Sequence, residues 1–214
     1  DSSTSRGLGD VYKRQGFDLD LVSEVMTYNA SQGKPAYAAI INRLDRPVSG
    51  LVLIAKNKSA AAKYSTLMQK EGGFNKQYEA LICGKLSELK GTFVDYLKKD
   101  GRTNTSAIVP ADSAANDKEA KLSKLEYEVI SYDEVKDITH VRIHLITGRH
   151  HQIRVQFASR RHPLVGDYKY ATADCGMDNA VKAVALKRNQ IALCAVSLTV
   201  DNKTYSVAPE FSIG

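Results

Sequence analysis

Cysteine and proline are scarce in this chain, with three Cys and five Pro among 214 residues. Cys83, Cys175 and Cys194 lie far apart and no C-x-x-C occurs. That excludes a disulfide framework or a Cys-based zinc site and fits a reducing cytosol. The low proline content argues against long disordered tracts. No apolar run approaches the roughly 20 residues needed to span a bilayer. The N-terminus also lacks the apolar segment of a signal peptide, and no internal repeat is visible. A soluble, cytoplasmic protein with no membrane partner is expected.

What is present is an ordinary globular mix, 43% hydrophobic and 25% charged. The length suits one large domain or two small ones. Thirty Lys and Arg against 24 Asp and Glu give a formal charge of +6. Most of that excess sits in one stretch. Between Val141 and Tyr170 there are six basic residues (Arg142, Arg149, Arg154, Arg160, Arg161, Lys169) and one acid, Asp167. Clustered arginine is the footprint of a phosphate-backbone partner, and equally of a solvated basic face.

Residues 1–15, DSSTSRGLGDVYKRQ, carry no apolar periodicity. They read as an adapter-like, non-native segment or a disordered tail, and the domain is expected over residues 16–214. On the adapter reading the native protein is longer.

Along the rest of the chain the patterns switch between periods. Leu21, Val22, Val25 and Met26 form a helical stripe that Gly33 and Pro35 stop. Ala38 to Ile41 is a short apolar run leading into the turn-rich NRLDRPVSG. Leu51 to Lys56 reads as a buried strand. Ser59 is a plausible N-cap of a helix that Gly72 closes. Lys76 to Cys83 is a strand with Tyr78, Ala80 and Ile82 on one face. Gly91 to Ala120 is weakly patterned and reads as a strand or hairpin with loops. Leu125 to Ile130 and Val141 to Ile146 are further strands. Ile153, Phe157 and Ala158 mark a helix that Pro163 ends. Ile191 to Val200 and Thr204 to Ala208 make a closing strand pair around Asp201-Asn202-Lys203. Without strict βαβ alternation, the expected class is α+β, with a mixed, largely antiparallel sheet and flanking helices.

Chemistry concentrates in two segments. In NRLDRPVSGLVLIAK, Asp45 lies between Arg43 and Arg46. Flanking guanidiniums favour an ionised carboxylate, able to act as a nucleophile or to stabilise a cation. A surface salt-bridge cluster would look the same. In TGRHHQIRVQFASRRHPLVGDYKYA, a Gly turn and an Arg- and His-rich helix start suit an anion site. Arg154, one turn in, could pair with a buried carboxylate. Gly166-Asp167 reads as a turn. His140 and His144 on one strand would stand about 13 Å apart. No recognised ligand spacing completes a metal set, so no metal is expected, and the histidines read as solvated or RNA-facing. Tyr78 and Leu193 read first as core residues.

Taken together these segments resemble the RluA-type family of pseudouridine synthases. NRLDRPVSGLVLIAKN resembles its catalytic motif, KQYEALICG its tyrosine motif, TGRHHQIRVQFASRRHPLVGDYKY its arginine motif, and IALCAVSL its leucine-bearing strand. KKDGRTNTSA fits an insertion of one branch. The resemblance implies the pseudouridine synthase catalytic domain. Asp45 is then the essential carboxylate, Arg154 its partner, and Tyr78 the residue beside the base that handles its proton. Arg43 helps displace the nucleotide, and Leu193 packs under the uracil. Lys76, Arg149 and Gln152 are expected to meet the substrate. Asn42 stands where the family more often has His. The family's opening strand and Lys-Pro-Gly-like segment are not found upstream.

The implied reaction is redox-neutral and needs no cofactor. Its partner is RNA, ribosomal or transfer, and a monomer is expected. Attack of Asp45 on C1′, a glycal route and addition to C6 all stay open. Two other classes do as well: an inactive RNA-binding protein, and a glycosidic-bond hydrolase, which usually needs two carboxylates.

Overall fold

The computed structural model describes residues 20–70, 73–187 and 189–213. Expectations for residues 1–15, and for Gly72 as a helix terminator, lie outside the described residues.

Helix α1 (Leu21–Ser31) starts at Asp20, whose carboxylate accepts from the Ser23 backbone N–H at 2.9 Å. Two short strands, β1 (Ala39–Ile40) and β3 (Ile54–Ala55), pair antiparallel, and β2 (Ser49–Gly50) lies between them in sequence. The continuous strand expected over Leu51 to Lys56 is thus broken. Leu51 instead donates its N–H to the Ala195 carbonyl at 3.0 Å. Helix α2 (Lys58–Gln69) is capped by Asn57 rather than Ser59. The Asn57 side chain takes the Ala60 N–H at 2.8 Å, so the helix has already begun at Ser59.

The main sheet is built from β4 (Asn75–Cys83), β5 (Lys90–Asp100), β6 (Thr105–Val109), β7 (Lys121–Asp133), β8 (Ile138–Leu145), β9 (Leu193–Val200) and β10 (Lys203–Ser206). Its order is β10-β9-β4-β8-β7-β5-β6, with β2 added on β9. Every pairing along that path is antiparallel, and β2–β9 is parallel. The weakly patterned Gly91 to Ala120 region is a regular hairpin, β5–β6, followed by the one-turn α3 (Ala111–Ala114). Two short helices complete the chain, α4 (Gln152–Ala158) and α5 (Met177–Lys182). No pattern had marked α5. The observed class is the expected one, a mixed α+β fold.

Alternate residues of β4 feed two cores. Tyr78, Ala80 and Ile82 join Leu125, Val141, Ile143 and Leu193 on the face covered by Phe157 of α4. Leu81 and Cys83 join Val165, Cys194, Val196 and the α5 residues Met177 and Ala180 on the other. A strand buried on both faces shows a near-continuous apolar run, as ALIC does here. Under α4 the Phe93 and Phe157 rings meet edge-on at 5.0 Å, and the Arg160 guanidinium covers Phe93 at 4.0 Å.

Asp201 and Asn202 both take left-handed backbone angles (φ 47° and 61°) between paired Val200 and Lys203. This is the two-residue turn that matches strand twist, and Asp-Asn chemistry permits it. No helix among the described residues is long and apolar enough to cross a membrane.

Candidate active site

The segment carrying Asp45 is not a free loop. Its backbone is fastened to β9 and to the residues just before it. Ile191 N–H donates to the Pro47 carbonyl at 3.1 Å, and Ser49 pairs with Cys194. Gly50 makes the approach possible. It has φ of +120°, and a Cβ there would sit 2.4 Å from the Ala195 backbone, so no other residue fits. Asn42 closes the base of the loop. Its amide donates to the Leu51 carbonyl at 3.2 Å and accepts the Leu53 N–H at 2.6 Å. A short amide serves both bonds, which accounts for Asn at this position.

Asp45 stands over the start of α4. Its Oδ2 is 3.3 Å from Arg154 Nη1 and 3.6 Å from His151 Nε2. Arg43 and Arg46 are exposed, and neither pairs with it among the described residues. The sequence argument for an ionised Asp45 therefore named the wrong guanidiniums. The chain turns at this point, with the Val48 N–H donating to the Asp45 carbonyl at 2.9 Å, and the partner comes from 109 residues downstream. Burial pushes the Asp45 carboxyl above the usual carboxylate range, and Arg154 opposes that push.

Arg154 is itself held by a second acid. Its Nε and Nη2 donate to Asp167 Oδ2 and Oδ1 at 2.6 and 2.7 Å. This two-pronged fit is the strong form of an ion pair, and Asp167 is only 1% exposed. The Tyr170 ring lies 5.1 Å from the guanidinium carbon. Asp167 thus fixes the plane of Arg154 and leaves Nη1 to face Asp45.

Of the two histidines beside this cluster, expected to be solvated or RNA-facing, His151 is buried and His150 half-buried. The His151 and His150 rings stack at 3.8 Å. His151 accepts or donates at Nδ1 to the Tyr170 hydroxyl at 2.6 Å, and His150 Nδ1 meets Ser106 Oγ at 2.9 Å. Burial, followed for His151 by Arg154 and for His150 by Lys99, lowers their pKa values to about 3 and about 4. Both rings are neutral at pH 7. His140 and His144 lie on the sheet against Glu79 and Glu126.

Tyr78 and Leu193 belong to one buried cluster with Leu44, the residue before Asp45. Burial, with the Asp45 charge second, drives the Tyr78 hydroxyl far above the normal phenol range, so it stays protonated. Lys76, two residues earlier on the same face of β4, is also affected by burial, which lowers its pKa. Among the described residues its ammonium meets the Met68 sulfur, at 3.7 Å, and lies 3.5 Å from the space above Gly148.

Other expected residues stand apart. Gln152, expected to meet substrate, is a buried bracket. Its carbonyl accepts from Thr147 Oγ1 and the Arg149 N–H, at 2.8 and 3.0 Å. Its amide donates to the Lys124 carbonyl and to Gln156 Oε1, both at 3.1 Å. With every polar group occupied, it has no capacity left for a ligand. Arg149 is exposed, with Nε on the Leu122 carbonyl at 3.0 Å. The basic stretch is not one phosphate-binding face either. Arg142 pairs with Glu79 at 3.0 Å and Arg160 with Asp95 at 3.0 Å. Strand alternation on β8 and the turn of α4 send these cations to different neighbours.

A carboxylate set on a glycine-dependent loop, over a locked arginine and beside a buried tyrosine, is the arrangement the sequence resemblance implied. The profile of the RNA pseudouridylate synthase family matches residues 11–159. The chain belongs to that family. Ribosomal large subunit pseudouridine synthase D of Blochmanniella floridana is 37% identical over 137 residues, covering 62% of this chain and 38% of that protein. The protein of the same name from Vibrio vulnificus (strain CMCP6) is 31% identical over 177 residues, covering 81% of this chain and 51% of that protein. The chain thus spans about half the length, or less, of these curated relatives. Human RNA Pseudouridylate Synthase Domain Containing 4 shares the fold, with a TM-score of 0.68 at 17% identity, over 88% of this chain and 77% of that one.

Asp167, Tyr170 and His151 are the site residues that sequence reasoning passed over. Asp167 was the single acid in a basic stretch, and that isolation was the available signal.

Proposed function

We propose that this chain converts uridine to pseudouridine in a structured RNA, with Asp45 as the catalytic carboxylate. The observation that carries the reading is the contact between Asp45 and Arg154 at 3.3 Å, beside the buried Tyr78. Burial favours the neutral form of the acid, and Arg154 opposes that push. An ionised, partly desolvated carboxylate is what attack at C1′ or C6, or stabilisation of an oxocarbenium-like sugar, requires.

The reaction breaks N1–C1′ and forms C5–C1′. The C5 proton leaves, N1 gains one, and no net oxidation or hydrolysis occurs. Tyr78 is a neutral phenol, so it can take the C5 proton only by giving up its own hydroxyl proton in the same step, and the proton balance sends that one to N1, directly or through water. Leu193 and Tyr78 form the apolar floor for the flipped base. Eversion costs a few kcal/mol. Arg43, exposed and without an ion pair among the described residues, is available to fill the gap. Lys76, Lys99, Lys169 and Arg149 supply the cations for the backbone.

The names of the relatives favour large-subunit ribosomal RNA as substrate over transfer RNA. A monomer in the cytoplasm completes the reading, and the three free thiols suit that compartment. A hydrolase is disfavoured because the second carboxylate, Asp167, is buried and held in two bonds by Arg154. It cannot serve as a proton-donating acid.

The test is incubation with ribosomal and transfer RNA transcripts carrying tritium at uridine C5. Tritium release without free uracil supports the reading. Free uracil would assign hydrolysis, and retained label with tight binding would assign an RNA-binding protein.

A further inference from the structure

We propose that His151 is a positioning residue for Asp45, held in one tautomer by a chain that runs from the Ser106 backbone through Tyr170. The inference rests on the catalytic reading of Asp45 above and extends it to groups that reading does not use.

The chain has a fixed direction. The Ser106 backbone N–H can only donate, and it lies 2.9 Å from the Tyr170 oxygen. The Tyr170 proton is then free for a second bond, and His151 Nδ1 stands 2.6 Å away. If Nδ1 carried the ring proton instead, the Tyr170 proton would have no acceptor among the described residues. With Nδ1 accepting, both groups are satisfied within the chain, and that arrangement puts the single proton of the neutral ring on Nε2. That atom faces Asp45 Oδ2 at 3.6 Å. The gap is a few tenths of an ångström too long for a hydrogen bond. Contacts of this kind often tighten only when substrate is bound.

Two more observations support a built device rather than a chance neighbour. His151 is held at φ 53°, in the left-handed region, which a non-glycine residue adopts at a cost when its surroundings impose it. The His150 ring stacks on it at 3.8 Å and is pinned by the Ser106 hydroxyl at 2.9 Å. Ser106 of strand β6 thus holds His150 directly and His151 through Tyr170, and Lys169 Nζ donates to the Asn104 carbonyl in the same hairpin at 2.9 Å. The β5–β6 hairpin so becomes part of the support of the catalytic acid. Asp45 Oδ2 receives Arg154 Nη1, and the His151 Nε2–H faces the same oxygen, placed to close on it when substrate binds.

The charged and titratable groups facing His151 are Asp45, Arg154, His150, Tyr170, Lys169 and Lys99. Loss of the Nε2–H donor removes one group that favours the ionised acid. The acid limb of the pH–rate profile should then move to higher pH.

The test uses the whole chain and C5-tritiated RNA under single-turnover conditions. His151→Asn suits the left-handed backbone and keeps an acceptor near Tyr170, but cannot reach Asp45. The expected result is a rate about tenfold lower, an acid limb raised by about one pH unit, and RNA affinity within about twofold. Tyr170→Phe, which keeps the ring over Arg154, should shift the limb in the same direction by less. An unmoved acid limb in His151→Asn overturns the proposal, whether or not the rate falls. If that variant does not fold, an unmoved limb in Tyr170→Phe overturns it. A wild-type chain that releases no tritium, or an Asp45→Asn chain as active as wild type, would instead defeat the catalytic reading of Asp45.

Discussion

Asp167 grips Arg154 through two bonds of 2.6 and 2.7 Å, while Asp45 touches the same guanidinium once, at 3.3 Å. The two acids share one cation unequally. The buried acid holds the arginine, and the arginine in turn presents one N–H to the accessible acid. Because Asp45 is loosely held, with 29% of its side chain exposed, it can turn toward a substrate without breaking the buried pair.

That inequality predicts opposite outcomes for two isosteric changes. Asp167→Asn leaves a buried guanidinium with half of its main partner and should lower stability by on the order of 3 kcal/mol. Asp45→Asn removes a partly exposed contact and should cost less than about 1 kcal/mol. Urea unfolding at pH 7 checks both. Equal losses would contradict the division of roles.

Stability should fall on acidification well before the carboxylates titrate. His150 and His151 have folded pKa values of about 4 and about 3, below the ordinary value of 6.5. Between pH 6.5 and those values the unfolded chain binds protons that the folded chain does not, so stability rises with pH across that window. Full stability is present above 6.5 and is lost as pH falls toward 4 and 3. Unfolding midpoints at pH 7 and pH 5 should differ, with a smaller difference in His151→Asn.

Lys76 is a partly buried ammonium that meets a sulfur and no carboxylate among the described residues, which suits it to a phosphate brought by RNA. Lys76→Met keeps the apolar stem and removes the charge. RNA affinity should fall by about three- to tenfold and the salt slope of binding by about one, with the fold intact. An unchanged salt slope would place the phosphate contacts elsewhere.

Much of the scaffold was legible because its signals are local. The alternation of Tyr78, Ala80 and Ile82 and the Asp201-Asn202 turn report on neighbouring residues, whereas α4 ends at Ala158, ahead of the expected Pro163 stop. The break after Gly50 was not legible. LVLIAK carries strand composition, but the backbone of β9 claims Leu51 first, and that is a long-range bond. The cap shifted by two residues because Asn57 and Ser59 are both good caps, and only geometry chooses between them. For the site, Asp45, Arg154 and Tyr78 came from motif resemblance, while the local charge argument pointed to Arg43 and Arg46, which do not pair with the acid. Gln152 looked like a substrate ligand because its polarity was visible and its four internal bonds were not. Asp167 read as a turn residue because its partner lies across the fold.

The most direct measurement is single-turnover tritium release from C5-labelled ribosomal RNA by the wild-type chain and by Asp45→Asn, alongside RNA binding. The account predicts release by the wild type, a drop of at least about a thousandfold in the variant, and affinities within a few-fold of each other. Release by Asp45→Asn at a rate near wild type, or loss of binding and fold together with activity, would contradict it.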